Sequence, residues 1–114
     1  MKIKNTLDVV DNEYPKRNYN INVNIPEFTC VCPKTGQPDF ATFTINYIPN
    51  KFIVELKSLK LYLQQYRSCG AFHEYVTNKI YDDFSSACKP KKIEVVGNFN
   101  ARGGISTSVI VSGP

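Results

Sequence analysis

Cys32 and Asp39 stand at the two ends of a segment whose composition is typical of a loop. The intervening residues, Pro33-Lys34-Thr35-Gly36-Gln37-Pro38, include two prolines and a glycine. A thiol beside such a loop can be exposed, and its thiolate is a good nucleophile. Asp39 lies between Pro38 and Phe40, a partly apolar setting in which a carboxyl can keep a proton to donate. The pattern indicates a nucleophile with a nearby acid; the alternative is a small core cysteine and a turn aspartate.

The triplet Phe72-His73-Glu74 provides a second group of candidate residues. A histidine gives or takes a proton near neutral pH, which suits His73 to proton transfer. The Glu74 carboxylate can accept two parallel hydrogen bonds, and the N1–H and 2-amino groups of a guanine-like base offer such a pair. The alternative role for Glu74 is structural, since a carboxylate at a helix start is stabilised by the helix dipole.

Two lysines form the third candidate group. Lys57 and Lys60 are three residues apart in the segment Glu55-Leu56-Lys57-Ser58-Leu59-Lys60-Leu61-Tyr62. At a helix N-terminus they would lie on one face and meet an anion together with free backbone amides. The alternative is a pair of solvated lysines.

The elements that must position these residues follow from hydrophobic periodicity. Residues 1–17 are polar and carry several charges and Pro15, which predicts a loosely held arm before a single domain over 18–114. Alternating residues predict a strand from 19 that Pro26 stops, with extended structure resuming over 28–32. They also predict a hairpin of two strands over 42–47 and 52–56, and two final strands over 93–99 and 105–111 joined by the turn Arg102-Gly103-Gly104.

Two helices are predicted between the strands. Ser58 is the expected N-cap of a short helix with an apolar stripe at Leu59, Tyr62, Leu63 and Tyr66. A longer helix over 71–87 carries a stripe at Phe72, Val76, Ile80 and Phe84 and is closed by Pro90. The order strands, helix, helix, strands predicts an α+β fold, with an antiparallel sheet and both helices on one face.

Composition excludes several classes of function. The 114 residues suit one domain, and a net charge of +4 without a dense basic cluster argues against direct nucleic-acid binding. The polar N-terminus lacks the apolar core of a signal peptide, and no apolar run reaches the length of a membrane span, so we expect a cytoplasmic protein. With one histidine, and with Cys30 and Cys32 closer than zinc ligands usually stand, no metal site is expected.

The octapeptide Glu55 to Tyr62 resembles the signature of the QueF family of 7-cyano-7-deazaguanine reductases at every position. The loop from Cys32 to Phe40, the triplet at residues 72–74 and Arg102-Gly103-Gly104-Ile105 also match, in family order and at family spacing. The resemblance runs from roughly Pro26 to Ile105. Four motifs in register carry it, where each alone is weak.

This resemblance implies a tunnelling fold, in which two-stranded antiparallel units flank a helix pair and several subunits assemble into a barrel. It implies a homo-oligomer with active sites between subunits. It also implies a place in queuosine biosynthesis, where the substrate is a free deazaguanine base and the reductant is NADPH.

The resemblance also implies roles for individual residues. Cys32 would attack the nitrile carbon and form a covalent thioimide, while Asp39 and His73 would manage the proton transfers. Glu74 would anchor the guanine edge. The remaining expected contacts are Val54, Glu55 and Leu56 with the base, and Lys57, Lys60 and Arg102 with the cofactor phosphates. No metal takes part in this chemistry.

Two other functions remain open at this stage. An amidinotransferase of the same fold also captures a nitrile on cysteine, but it adds ammonia to a base already in tRNA and uses no hydride donor. A non-catalytic oligomeric purine-binding module would use Glu74 as anchor and leave Cys32 idle. The intact octapeptide with both lysines favours the reductase.

Overall fold

The alternating segments of the sequence form long antiparallel strands. A computed structural model describes residues 2–114. In chain order, the elements are β1 (Val9–Asp11), β2 (Ile21–Val31), β3 (Pro38–Ile48), β4 (Phe52–Val54), α1 (Leu56–Gln64), a 3₁₀ turn (Gln65–Ser68), α2 (His73–Cys88), β5 (Lys92–Arg102) and β6 (Ile105–Gly113). The predicted α+β class is confirmed.

The main sheet has four antiparallel strands in the order β2-β3-β5-β6. At its centre, Ile45 of β3 pairs with Val23 of β2 on one side and with Val95 of β5 on the other. Pro26 does not end the strand but interrupts it: the register shifts between Ile25 and Phe28, and β2 then continues to Val31 through the residues expected to resume extended structure. An edge strand tolerates this interruption, since a proline there need not cost a ladder hydrogen bond.

The core lies between the sheet and α2. The buried side chains of Val76, Ile80 and Phe84 form the predicted stripe of α2. Phe72 does not belong to that stripe, because it is the exposed N-cap residue of the helix. Gly97 of β5 permits the close approach, since a Cβ there would lie 2.8 Å from the Phe43 ring and 2.9 Å from the Thr77 hydroxyl oxygen.

The predicted hairpin between β3 and residues 52–56 is wrong. Both edges of β3 are already paired, with β2 and with β5. β4 therefore pairs with β1 in a separate two-stranded antiparallel sheet, in which Val54 lies opposite Val9. This pairing puts the start of α1 beside the N-terminal segment, where the Glu55 amide donates to the Asp8 carbonyl oxygen.

The helix N-cap predicted at Ser58 lies three residues too late. Glu55 caps α1, and its carboxylate accepts from the amides of Lys57 (2.6 Å) and Ser58 (2.8 Å). Ser58 is buried in the first turn instead, where its hydroxyl accepts from the Asp8 amide at 2.9 Å. Glutamate is a less common cap than serine, and the contact between Ser58 and β1 decides the outcome.

The N-terminal segment is not loosely held. Ile3 is only 6% exposed and belongs to the hydrophobic core. The Lys4 amide donates to Gln65 Oε1 (2.9 Å), and Gln65 Nε2 donates to the Lys4 carbonyl oxygen (2.8 Å). The segment is held because β4 needs a partner strand and β1 supplies it; Met1 lies outside the described residues.

The predicted turn between the last two strands is confirmed. Gly103 and Gly104 have φ of 62° and 80°, the left-handed conformation that a tight hairpin turn requires and that glycine adopts without strain. The turn fixes Arg102 at the end of β5. Among the described helices, none is both long and apolar enough to cross a membrane.

Candidate active site

The loop that joins β2 to β3 holds Cys32 in a closed turn. The Cys32 amide donates to the Gln37 carbonyl oxygen at 2.8 Å, and the Gly36 amide donates to the Cys32 carbonyl oxygen at 2.9 Å. Gly36 has φ of 74°, which allows the chain to reverse there. Cys30 and Asp39 face each other across β2 and β3, so the loop that begins at Cys32 ends at Asp39, and Arg102 lies near both side chains.

Cys32 is an activated thiol. Its pKa is lowered from 9.0 to about 6, first by a hydrogen bond from the Thr35 side chain and then by one from Arg102, with the amides of Thr35 and Lys34 adding to both. Donors aimed at sulfur stabilise the thiolate, which is the reactive form of cysteine. At neutral pH this side chain is therefore mostly a thiolate.

Cys30, two residues earlier, has the opposite environment. It is fully buried, and burial raises its pKa to about 12. Cys88 is also buried, with a pKa raised to about 12 for the same reason. An apolar environment disfavours the thiolate, so these two thiols pack as small apolar side chains. Of these three cysteines, only Cys32 is prepared for nucleophilic chemistry.

The Asp39 carboxylate connects the thiol loop to α2. The Arg102 Nε–H donates to Asp39 Oδ1 at 2.9 Å, and His73 Nε2 lies 3.3 Å from Asp39 Oδ2. Asp39 is itself buried. The sequence predicted Asp39 and His73 as catalytic partners, and the structure brings them together. We name Cys32, Asp39, His73 and Arg102 the thiol cluster.

His73 is fixed from three sides. Its ring stacks on Phe99, with centroids 3.7 Å apart and planes 6° apart, and its Nδ1 lies 2.7 Å from the Thr107 hydroxyl oxygen. Nε2 faces the Asp39 carboxylate and Nδ1 faces the Thr107 hydroxyl, which can accept from the ring or donate to it. The arrangement fixes one ring orientation.

The start of α2 is tied directly to the end of β2. The Val31 amide donates to the Cys69 carbonyl oxygen, and the Ala71 amide donates to the Val31 carbonyl oxygen, both at 3.0 Å. Val31 is adjacent to Cys32, and Ala71 is two residues before His73. This short parallel bridge therefore sets the position of the imidazole relative to the thiol.

Glu74 lies one residue beyond His73, in the first turn of α2, and is exposed. Its position is consistent with either of its predicted roles, because the first turn suits a carboxylate and the side chain is accessible to a ligand. Among residues 2–114, no group of three or more His, Cys, Asp and Glu side chains could hold a metal ion.

The other predicted binding residues lie at the start of α1. Lys57 and Lys60 are exposed there, but the expectation of free backbone amides beside them is wrong. The amides of Lys57 and Ser58 donate to the Glu55 carboxylate. That carboxylate keeps lone pairs for a further donor. Within the described chain, no hydrogen bond or ion pair joins Glu55, Lys57 or Lys60 to the thiol cluster.

A groove of about 420 Å³ separates α1 from the edge strand β2. It is lined by apolar residues and by polar side chains that include Lys60 and Arg67. Leu56, a predicted substrate contact, lines this groove, whereas Cys32 does not. Val54 is buried, and its amide donates to the Tyr47 hydroxyl at 3.2 Å. The predicted binding residues at the start of α1 thus lie apart from the thiol cluster within one subunit, whereas Arg102 belongs to that cluster and Glu74 adjoins it.

The sequence analysis did not identify four residues that touch the thiol cluster. Thr35 and Gln37 lie inside the Cys32–Asp39 loop, and a hydroxyl three residues after a reactive cysteine could have been noticed. Phe99 and Thr107 left no local signal. They meet His73 because they are opposite each other across β5 and β6, a pairing that only the sheet register reveals.

The antiparallel sheet, the helix pair on one face and the activated thiol define an α+β protein of the tunnelling-fold class. A crystal structure of the archaeosine synthase QueF-Like in the apo form shares this fold, with a TM-score of 0.71 over 82% of this chain and 90% of that one. At 18% identity, the likeness concerns the fold alone. The predicted tunnelling fold is confirmed.

Sequence comparison then identifies the family. The model described as QueF-like protein matches residues 38–113. NADPH-dependent 7-cyano-7-deazaguanine reductases from Nitrosococcus oceani and Chloroherpeton thalassium are 56% and 55% identical, over 90% and 93% of this chain and 80% and 91% of theirs. The reductase from Chlorobaculum tepidum is 52% identical over 96% of this chain and 93% of its own. The chain belongs to the QueF-like protein family.

Proposed function

We propose that this protein reduces the nitrile of 7-cyano-7-deazaguanine to an aminomethyl group with NADPH, as a step of queuosine biosynthesis. The names of relatives at 52–56% identity support the reaction. The structural observation that carries it is the lowered pKa of Cys32 beside the Asp39–His73 pair. A nucleophile next to a proton-transfer pair is what the addition of a thiol to a nitrile requires.

In the first step the Cys32 thiolate adds to the nitrile carbon. One π bond of the nitrile breaks, and its electron pair goes to the nitrogen, which takes the proton that the Cys32 thiol gave up to the Asp39–His73 pair when it ionised. The product is a covalent thioimide. The hydrogen-bond donors around the sulfur keep the thiol deprotonated near neutral pH, so the nucleophile is ready before the base arrives.

The Asp39–His73 pair supplies and recovers the protons. Arg102 holds Asp39 Oδ1, which leaves Oδ2 for His73. Thr107 and the Phe99 ring hold the imidazole in place. Because the partners of both side chains are fixed, little reorganisation accompanies each proton transfer.

The start of α1 offers a place for the cofactor phosphates. Lys57 and Lys60 are both exposed and lie on one face of the first turns, which fits a dianionic phosphate by charge. We assign the phosphates to these lysines, with Arg102 as the third contact that the family resemblance implies. When bound, the reduced nicotinamide supplies hydride, and two hydrides take a nitrile to an amine.

Base recognition is assigned to Glu74, with help from Glu55 and the backbone of Val54 and Leu56. The Glu74 side chain is exposed next to His73, so it can present its carboxylate to the N1–H and 2-amino groups of the base. The Glu55 carboxylate already caps α1, and it can add one more hydrogen bond through its remaining lone pairs.

We further propose that the complete active site forms between subunits of a homo-oligomer. The lysines of α1 and the thiol cluster lie on separate surfaces of one subunit, and both outer strands of the main sheet, β2 and β6, have an unpaired edge within it. Ile105 and Ile110 of β6 are 69% and 61% exposed. Exposed apolar edge strands are prone to pair with another chain. The four free thiols fit a cytoplasmic location.

Subunit complementation tests this assembly. C32A lacks the nucleophile, and the K57A/K60A double variant binds NADPH weakly. If one active site takes its thiol and its lysines from different subunits, mixed oligomers should recover activity at low NADPH that neither variant has alone. Mixed oligomers that form and recover no activity would place the thiol and the lysines of each site in one subunit.

The reaction itself is tested by its stoichiometry. Purified protein, the nitrile base and NADPH are mixed, and the fall in nicotinamide absorbance is compared with the aminomethyl product formed. We expect about two NADPH per base, because each cofactor delivers one hydride. Product that forms only with ammonia and tRNA, without NADPH, would instead indicate the amidinotransferase.

A further inference from the structure

Arg102 is placed where it contacts the nucleophile and its acid together. Its guanidinium donates from Nε to Asp39 Oδ1 at 2.9 Å and from Nη1 to Gln37 Oε1 at 3.2 Å and Thr35 Oγ1 at 3.3 Å. It also hydrogen-bonds the Cys32 side chain. The family resemblance gave this residue only to the cofactor phosphates, so the contacts with the loop need their own explanation.

The Thr35 hydroxyl extends the effect of Arg102. Its oxygen accepts from Arg102 Nη1 and from the Gln37 amide, each at 3.3 Å. With both lone pairs engaged, the hydroxyl proton is available for a third partner, and that partner is the Cys32 sulfur. Arg102 therefore acts on the sulfur twice, through its own hydrogen bond and by orienting the Thr35 hydroxyl.

We propose that Arg102 is a thiolate-stabilising residue, whose guanidinium holds Cys32, Thr35 and Asp39 in one hydrogen-bonded group. A planar guanidinium can serve three acceptors at once, which a lysine ammonium cannot do with the same geometry. The inference deepens the proposed function and relies on it only for the use of the thiolate as nucleophile. It adds a task for Arg102 that is independent of any contact with the cofactor.

The shifts in pKa are consistent with this pairing in both directions. The hydrogen bond from Thr35 contributes most to the lowered pKa of the Cys32 thiol and that from Arg102 comes next, and the bond between Arg102 and Cys32 also raises the pKa of the Arg102 guanidinium. Each group is thus stabilised in its charged form by the other. The groups around Arg102 that can take a charge are Asp39, Cys32 and Cys30, and His73 lies against Asp39.

The test measures the rate at which iodoacetamide alkylates Cys32, as a function of pH. Intact mass and peptide mapping assign the label, with C32A as the blank. In the unchanged protein, the rate should rise through a midpoint at about pH 6 and be level above it, because only the thiolate reacts. In R102Q the midpoint should move up by about one pH unit or more, since a charged donor is lost.

Two further variants control the experiment. R17Q removes an exposed arginine that lies over the Tyr14 ring, outside the thiol cluster, and should leave the midpoint unchanged. R102K keeps the charge without the planar fork and should give an intermediate midpoint. A midpoint in R102Q equal to that of the unchanged protein would overturn the proposal and leave Arg102 with the cofactor alone.

The alkylation assay needs neither the nitrile base nor NADPH. A protein that failed to oxidise NADPH but still showed the Arg102-dependent midpoint would contradict the proposed reaction and support the role of Arg102. If the unchanged protein reduced the nitrile but the alkylation midpoint of R102Q were unshifted, the proposed reaction would be supported and the role of Arg102 contradicted. The two claims therefore fail separately.

Discussion

Two buried aspartates in this protein belong to polar clusters that differ in solvent exposure. Asp39, 6% exposed, belongs to the thiol cluster, and Asp83, 7% exposed, belongs to a tyrosine cluster in the core. In the tyrosine cluster, the Tyr62 hydroxyl donates to Asp83 Oδ2 at 2.6 Å and lies 2.7 Å from the Tyr66 hydroxyl oxygen. Lys79 Nζ donates to Asp83 Oδ1 at 3.1 Å. Both carboxylates thus have a cationic partner and a second ring partner.

The difference between the clusters lies in what surrounds the partners. Tyr62 and Tyr66 are fully buried, and burial raises the pKa of both phenols, so neither ionises near neutral pH. In the thiol cluster, the side chains of His73 and Arg102 are 22% and 38% exposed, and the pKa of Cys32 is lowered. Cys32 is itself only 9% exposed, in contrast to the exposed thiol that its loop suggested, but His73 and Arg102 of the cluster reach solvent. A closed polar network stabilises the fold, whereas one with an easily ionised member and partly exposed neighbours can do chemistry.

The largest effect is expected from two cysteine variants that differ by two positions. C32A should abolish NADPH oxidation, because the thiol forms the covalent bond and nothing replaces it. C30A should keep most of the activity, because the Cys30 thiol is buried and stays protonated. Both are measured by nicotinamide absorbance with the nitrile base. An active C32A variant, or a C30A variant that folds but is inactive, would show that Cys32 is not the nucleophile.

The second-largest effect is expected when each buried aspartate is replaced by asparagine and the turnover rates of the two variants are compared. D39N should lower turnover by about 10²–10⁴-fold, the usual contribution of a proton-transfer group. D83N should leave turnover per folded molecule within about twofold of the unchanged protein, because Asp83 contacts no reactant and so takes no part in proton transfer. Steady-state rates at saturating base and NADPH decide this. Equal losses in both variants would contradict the division of roles.

For stability the order should be opposite: D83N should lose more stability than D39N. D83N should lower the free energy of unfolding by about 1.5–3 kcal/mol, the range for losing hydrogen bonds to a charged group inside a protein. D39N should cost less, because its partners His73 and Arg102 can turn to water. Urea unfolding followed by circular dichroism measures both. A larger loss in D39N would make the thiol cluster the main structural network.

The sequence predicted more of the thiol cluster than of the elements around it. Cys32 and Asp39 were accessible to prediction because a short loop joins them, and His73 because its triplet stood in a family motif. The hairpin with residues 52–56 and the Ser58 cap failed, since both depend on β1, a strand of three residues in a segment with no clear periodicity. Tertiary pairing overrode local propensity there.

The tyrosine cluster shows a further limit of sequence reasoning. Tyr62 of α1 and Tyr66 of the 3₁₀ turn are both buried, as the predicted apolar stripe indicated, although α1 itself ends before Tyr66; Leu59 is also buried and Leu63 packs against the core. Their hydroxyl groups need a partner once buried, yet Asp83 is 21 residues from Tyr62 and had no motif to mark it. Only the packing of α1 against α2 brings them together.

The smallest effect concerns the orientation of His73. T107V removes the hydroxyl that contacts Nδ1 and should lower turnover by about fivefold, equivalent to roughly 1 kcal/mol for one hydrogen bond. T107S keeps the hydroxyl and should restore the rate. Steady-state kcat and the KM for the base are measured in both variants, and a loss confined to kcat separates this role from a packing or binding defect. A full rate in T107V, or a T107S variant as slow as T107V, would leave Thr107 without a role in proton transfer.

The most direct test of the activated thiol is the adduct itself. The protein is mixed with 7-cyano-7-deazaguanine without NADPH, and intact mass is measured alongside C32A and D83N. Because the addition has no leaving group, the mass should increase by that of the whole base, in the unchanged protein and in D83N but not in C32A. Subsequent addition of NADPH should remove the adduct and release the amine. No adduct on the unchanged protein, or an equal adduct on C32A, would contradict the account.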